Sequence, residues 1–234
     1  MLAKHQEHIQ LVAEGFGDRL KQVVFVGGGI LDVYATDRAA PPARPTQDID
    51  VIINVDALFD LFRWEPWLEQ RGFLRSDPSQ KPALNWTYKG VKVHLAPLNP
   101  EISGYSNRWF EEGVFHSRAH RLPNGTLIRI FTPAYFIAAK IEAFIHRGEG
   151  DFRSSEDFED LVYLLDNRPE ILDDLTKAFH EVRKYIQGHF ARFLEHPDLE
   201  EGLMYALPFG ADEGHFAKIR EVMDSVANYE PAFA

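Results

Sequence analysis

Every strand-like run in this chain lies before residue 132, and from Thr132-Pro133 onward the pattern is helical only. Such segregation predicts an α+β domain over residues 1–131 followed by a helical domain over 132–234. The expected strands are short apolar or β-branched runs: Val23-Val24-Phe25-Val26, 47–53, 72–75 and 127–131. Residues 85–88 and 91–95 flank Lys89-Gly90 and predict a hairpin with a two-residue turn. Helical spacing covers 4–20 and 55–70, with Pro66 as an expected kink in the second. It resumes over 133–147, 155–166, 169–187, 189–196 and 212–228, with Pro133 at the first helical position and Thr132 as its cap. Residues 39–45 form a proline-rich loop in which no helix can persist.

Composition narrows the function classes. The 234 residues include no cysteine, which excludes a disulfide framework, a thiolate metal site and a cysteine nucleophile. With 45% apolar and 26% charged residues the chain is an ordinary globular one, not a disordered or fibrous one. The net charge of −11 argues against nonspecific coating of DNA, which needs an excess of Lys and Arg, but leaves room for a local basic groove. The N-terminal residues lack an apolar core and no apolar run is long enough for a bilayer, so a soluble cytoplasmic protein without membrane partners is expected.

Two features carry the chemistry. The run 23–26 ends on Gly27-Gly28-Gly29, which opens a short helix through Ile30, Leu31, Val33 and Tyr34. Glycines at a strand-to-helix turn let backbone amides approach phosphate oxygens. A P-loop is excluded because no Lys-Ser/Thr follows, and a dinucleotide fingerprint because position 32 is Asp32. Taken alone, the glycines read equally well as a tight, closely packed turn. The second feature is Asp48-Ile49-Asp50, in which strand alternation puts both carboxylates on one face. Two like charges there are costly unless a cation neutralises them, and Mg²⁺ prefers such oxygens. The alternative is a strand whose solvent-facing residues are Asp. Arg44 and Thr46 add a cation and a hydroxyl just upstream, or are ordinary loop residues.

Val26-Gly27-Gly28, some intervening chain, and then Arg44-x-Thr46-x-Asp48-x-Asp50 resembles the signature of the DNA polymerase β-type nucleotidyltransferases. Within that superfamily the chain is most similar to the minimal AbiEii-like members, many of them toxins of toxin–antitoxin pairs. Lys140-x-x-Ala143, Arg147, Asp151 and Asp157-x-x-Asp160 resemble that group's later segment, so the likeness spans residues 23–165. It implies a mixed β-sheet flanked by helices, with the helical domain completing an active-site cleft. It also implies transfer of a nucleoside monophosphate from an NTP to a hydroxyl of a tRNA, a protein or a small molecule. Asp48 and Asp50 would hold Mg²⁺ or Mn²⁺, and Gly27, Gly28 and Gly29 would bind the triphosphate, with Arg44, Thr46 and Arg147 nearby. Lys140 would meet the phosphates, or be a salt-bridged helix lysine. Asp157 and Asp160 would orient Lys140 or Arg147, or act on the acceptor. An antitoxin protein is the further partner implied.

The sequence departs from the pattern twice. Gly29 stands where a small hydroxylic residue is usual, and His94 where a third carboxylate is expected, sharing a face with Lys92. His94 therefore marks a site with an altered metal, a site with a histidine base, or a degenerate fold that binds a nucleotide or partner without turnover. His5/His8 and His116/His120 have helical spacing; solvated surface histidines are the favoured reading over a zinc pair. Residues 108–129 are locally basic with interleaved aromatics, which fits either a polynucleotide acceptor or a charged loop around a strand. Phe179, Phe190, Phe193 and Tyr205 are expected in the helical core.

Overall fold

The structure, a computed structural model, describes residues 4–53, 58–104 and 106–231. The chain divides into two compact units, residues 1–33 with 44–132, and residues 34–43 with 133–234. The first unit contains all seven strands found among the described residues: β1 (Val23–Val26), β2 (Asp48–Ile53), β3 (Phe73–Arg75), β4 (Asn85–Tyr88), β5 (Val91–Pro97), β6 (Arg118–Arg121) and β7 (Leu127–Ile130). They form one open mixed sheet in the order β3-β4-β5-β2-β1-β7-β6. β2 runs parallel to β5, β1 runs parallel to β7, and the other neighbours are antiparallel. Among the described residues no helix is long and apolar enough to cross a membrane.

β1 is buried along its whole length, as an all-apolar strand between β2 and β7 must be. Helix α1 (Lys4–Phe16) sends Phe16 into the core, where its ring meets Phe25, Trp64 and Phe73 at centroid separations of 6.4, 6.3 and 5.3 Å. Trp86 of β4 is fully buried and donates its indole N–H to the Ala83 carbonyl. A 3₁₀ turn over Gly28–Ile30 leads from β1 into the short α2 (Leu31–Tyr34). The helix expected over 55–70 is α3 (Leu58–Gln70), with Pro66 inside it; residues 55–57 of that expectation lie outside the described residues. The short α4 (Pro100–Ser103) and α5 (Phe110–Phe115) precede the hairpin of β6 and β7.

β6 adds to the basic stretch a strand that the sequence pattern does not mark. Arg118-Ala119-His120-Arg121 has no apolar alternation to mark it, yet it pairs in register with β7 as an edge strand. Charged edges of this kind oppose further strand addition. His120 lies on β6 and His116 caps α5, so these two do not share a helix.

The second unit is helical: α6 (Pro133–His146), α7 (Glu156–Asn167), α8 (Ile171–Thr176), α9 (His180–Leu194), α10 (Leu199–Ala206) and α11 (Glu213–Ala227). Its centre is aromatic, with Phe144, Phe152, Phe158 and Phe193 in mutual ring contact. The single helix expected over 169–187 is broken at Lys177, and Arg183 bridges the break by donating to the Thr176 and Ala178 carbonyls. Phe190 and Phe193 are buried as expected, but Phe179 and Tyr205 are exposed, the first at the break and the second on the outer side of α10. Residues 34–43, which include the first part of the proline-rich stretch, belong with these helices. The Thr36 and Asp37 amides both donate to the Asn167 carbonyl, the Tyr163 hydroxyl donates to the Pro41 carbonyl, and Arg168 donates to the Tyr34 carbonyl.

Candidate functional site

β2 alternates as its sequence demands. Ile49 and Val51 are buried on one face, while Asp48 and Asp50 are half-buried on the other. The parallel pairing with β5 sets Asp48 beside Lys92 and Asp50 beside His94. His94 Nδ1 stands 3.1 Å from Asp50 Oδ1, and both side chains keep about a third of their surface open, 37% and 30%. Lys92 turns to the Gln47 side-chain oxygen. The Thr46 hydroxyl donates to Asp48 Oδ1 at 3.1 Å, and Arg44 is half-buried two residues upstream.

The glycine turn fits against this face. Val26 pairs with Asp50, so the turn begins beside the second carboxylate. Gly27 has φ +75° and ψ −176°, a conformation essentially confined to glycine. A Cβ there would lie 2.1 Å from Asp50 Oδ2. The carboxylate thus occupies the space of the missing side chain, with its other oxygen toward His94. Gly29 is excluded from carrying a side chain for a different reason: its Cβ would meet the Asp48 carbonyl oxygen at 2.8 Å. The absence of a hydroxylic residue at 29 is therefore a packing requirement of this turn.

In the second unit, Lys140 of α6 is 7% exposed, and its ammonium lies 2.9 Å from Asp157 Oδ1 and 2.5 Å from Asp160 Oδ2. Arg147 reaches both oxygens of Asp157 from a largely exposed position. The spacing of Asp157 and Asp160 on α7 puts both carboxylates on one helix face. Burial, the largest single influence, pushes the Lys140 ammonium down. The two carboxylates outweigh it, Asp160 first, and the group ends above its ordinary value. Burial likewise pushes Asp157 up, but Lys140 and then Arg147 outweigh it and hold the carboxyl below the usual range.

No protein-family model matches the chain, and no curated protein matches it.

The residues singled out from the sequence thus form two groups. Gly27, Gly28, Gly29, Arg44, Thr46, Asp48, Asp50 and His94 belong to the sheet unit, whereas Lys140, Arg147, Asp157 and Asp160 belong to the helical unit. Asp157 accepts hydrogen bonds from both Lys140 and Arg147. Among the described residues, no group of three or more His, Asp and Glu side chains is placed to hold a metal ion. The pair Asp48 and Asp50 still suits Mg²⁺, which takes one or two carboxylates and completes its shell with water and phosphate oxygens. His94 is the softer donor beside them.

Two residues of the sheet unit, His5 and Asp32, escape sequence reasoning. His5 is 8% exposed, not solvated, and its Nδ1 faces the Asp32 carboxylate at 3.2 Å while Nε2 faces the Thr46 amide at 3.4 Å. The signals available are the paired His5/His8 spacing and an Asp at the position that excludes a dinucleotide fingerprint; neither points to the other. His120, by contrast, is half-buried on β6, and burial with Arg118 beside it lowers its pKa below 6.5.

Proposed function

We propose that the sheet unit carries a nucleotidyl-transfer site of the polymerase β type. The observation that carries the reading is the seating of Asp50 in the space left by Gly27, which joins a phosphate-type glycine turn to a paired-carboxylate strand. In the reaction an acceptor hydroxyl oxygen bonds to the α-phosphorus of an NTP, the bond to the β-phosphate oxygen breaks, and pyrophosphate leaves. Gly27, Gly28 and Gly29 bind the triphosphate through backbone amides. Asp48, steadied by Thr46, and Asp50 would hold Mg²⁺ or Mn²⁺. When bound, such a cation supplies charge neutralisation at the phosphates. His94, with Nδ1 turned to Asp50, has Nε2 as the acceptor for the hydroxyl proton. The acceptor classes are a tRNA end, a protein hydroxyl or a small molecule, and toxin activity countered by an antitoxin belongs to the same reading.

A second reading has its own observation. His94 occupies the register position beside Asp50 where a third carboxylate would complete the ligand set, which fits a fold that binds nucleotide without turnover. The test is incubation with each labelled NTP, Mg²⁺ or Mn²⁺, and total RNA or lysate. Transfer lost in Asp48→Asn/Asp50→Asn is expected; transfer that survives it overturns the assigned site. His94→Asp separates the readings. Loss of transfer supports the histidine base, whereas activity that appears only in the variant supports a degenerate site.

A further inference from the structure

We propose that His5 is a positioning residue that clamps the two halves of the sheet-unit site, holding the turn-proximal helix to the loop that precedes the paired aspartates. The inference rests on the nucleotidyl-transfer reading for its consequence, though the clamp itself is a matter of geometry. His5 lies on α1, far in sequence from both partners. Asp32 sits on α2, directly beyond the glycine turn, and Thr46 in the loop two residues before Asp48.

The hydrogen-bond roles are fixed by the chemistry of the partners. The Thr46 amide can only donate, so His5 Nε2 accepts and Nδ1 carries the proton toward Asp32 Oδ2. The imidazole and carboxylate side chains are about nine-tenths buried, 10% and 9% exposed, so the carboxylate fixes both the tautomer and the ring plane. From Thr46 the chain of contacts continues through its hydroxyl to Asp48 Oδ1. A carboxylate–imidazole pair is thereby connected, through one residue, to a candidate metal-binding oxygen. Outer-shell partners of this kind tune metal affinity by fixing the orientation of the ligands they support. α1 accordingly does more than cover the sheet: it ties the glycine side of the site to its carboxylate side.

The test uses the full chain and three variants, His5→Ala, His5→Gln and Asp32→Asn, each checked for folding by its melting transition. Thr46 amide hydrogen exchange reports the clamp, and Mn²⁺ affinity reports its effect on the carboxylates. His5→Ala is expected to speed Thr46 exchange and weaken Mn²⁺ binding about tenfold, the lower end for loss of an outer-shell partner. Asp32→Asn, which frees the ring from its carboxylate, is expected to shift both in the same direction by less. His5→Gln, whose side-chain oxygen can accept in place of Nε2, is expected to recover most of both. Thr46 exchange that is unchanged in folded His5→Ala, or no better protected in His5→Gln than in His5→Ala, overturns the clamp. If Thr46 exchange responds as expected while the wild-type chain binds no Mn²⁺ and transfers no label, the clamp stands and the nucleotidyl-transfer reading falls.

Discussion

Gly27→Ala is expected to reduce label transfer to background and to lower stability by about 1–3 kcal/mol from backbone strain alone. Two independent costs meet at this position. The φ of +75° with ψ near 180° lies where a side chain clashes with its own backbone, and the new Cβ would stand 2.1 Å from Asp50 Oδ2. The turn or the carboxylate has to move, and either movement separates the amides of 27–29 from the carboxylate pair. Gly90 of the β4–β5 hairpin provides the control. It also has positive φ, +87°, but a Cβ at this position would meet nothing within 4 Å, so Gly90→Ala costs about 1–2 kcal/mol and leaves transfer intact. Parallel urea titrations and initial-rate measurements on the two variants separate strain from displacement. Equal loss of transfer in both variants would show that Asp50 does not depend on the glycine gap.

The contrast between these glycines shows where sequence reading stops. Alternation in Asp48-Ile49-Asp50-Val51 is enough to place two carboxylates on one face, because a period of two has only one solution on a strand buried on its other side. The hairpin at Lys89-Gly90 is equally legible, and both residues have positive φ, as its two-residue turn requires. Contacts across the sheet are not legible. Nothing in Gly27 or Asp50 announces that one fills the space of the other, since strand order and register decide it. The same holds for His5, whose partners lie 27 and 41 residues away. β6 gives no signal because its residues satisfy an exposed edge and carry no apolar period. In the helical unit the apolar spacing predicts helices over most of the chain but runs past the break at 177–179, where Arg183 supplies hydrogen bonds that no local pattern encodes. The exposed Phe179 and Tyr205 follow from the same cause: an aromatic at a helix end has no fixed face.

The largest stability effect is expected at Lys140. Lys140→Met should cost about 3–5 kcal/mol, because it leaves the carboxylates of Asp157 and Asp160 in the interior without the ammonium that offsets their burial. Arg147→Ala should cost about 1 kcal/mol or less, since that guanidinium is 63% exposed and solvent screens it. Pairing Lys140→Met with Asp160→Leu should recover much of the loss, as apolar replacements of buried ion pairs often do. The acid limb supplies a second readout. Asp157 is held below its ordinary 3.8 in the folded chain, so the unfolded chain takes up its proton first as pH falls. Its contribution is fully present above that value and is lost as pH drops through the folded pKa. Lys140, raised above 10.5, contributes fully below that value and loses its contribution only as pH rises beyond it. Across neutral pH these two contributions are therefore constant. Asp157→Asn should flatten the fall in unfolding free energy below pH 3.8 and leave its slope near neutrality unchanged. Urea unfolding at a series of pH values measures all of this. Should Lys140→Met cost no more than Arg147→Ala, water must reach the buried carboxylates, and the cluster would be a solvated network, not an internal ion pair.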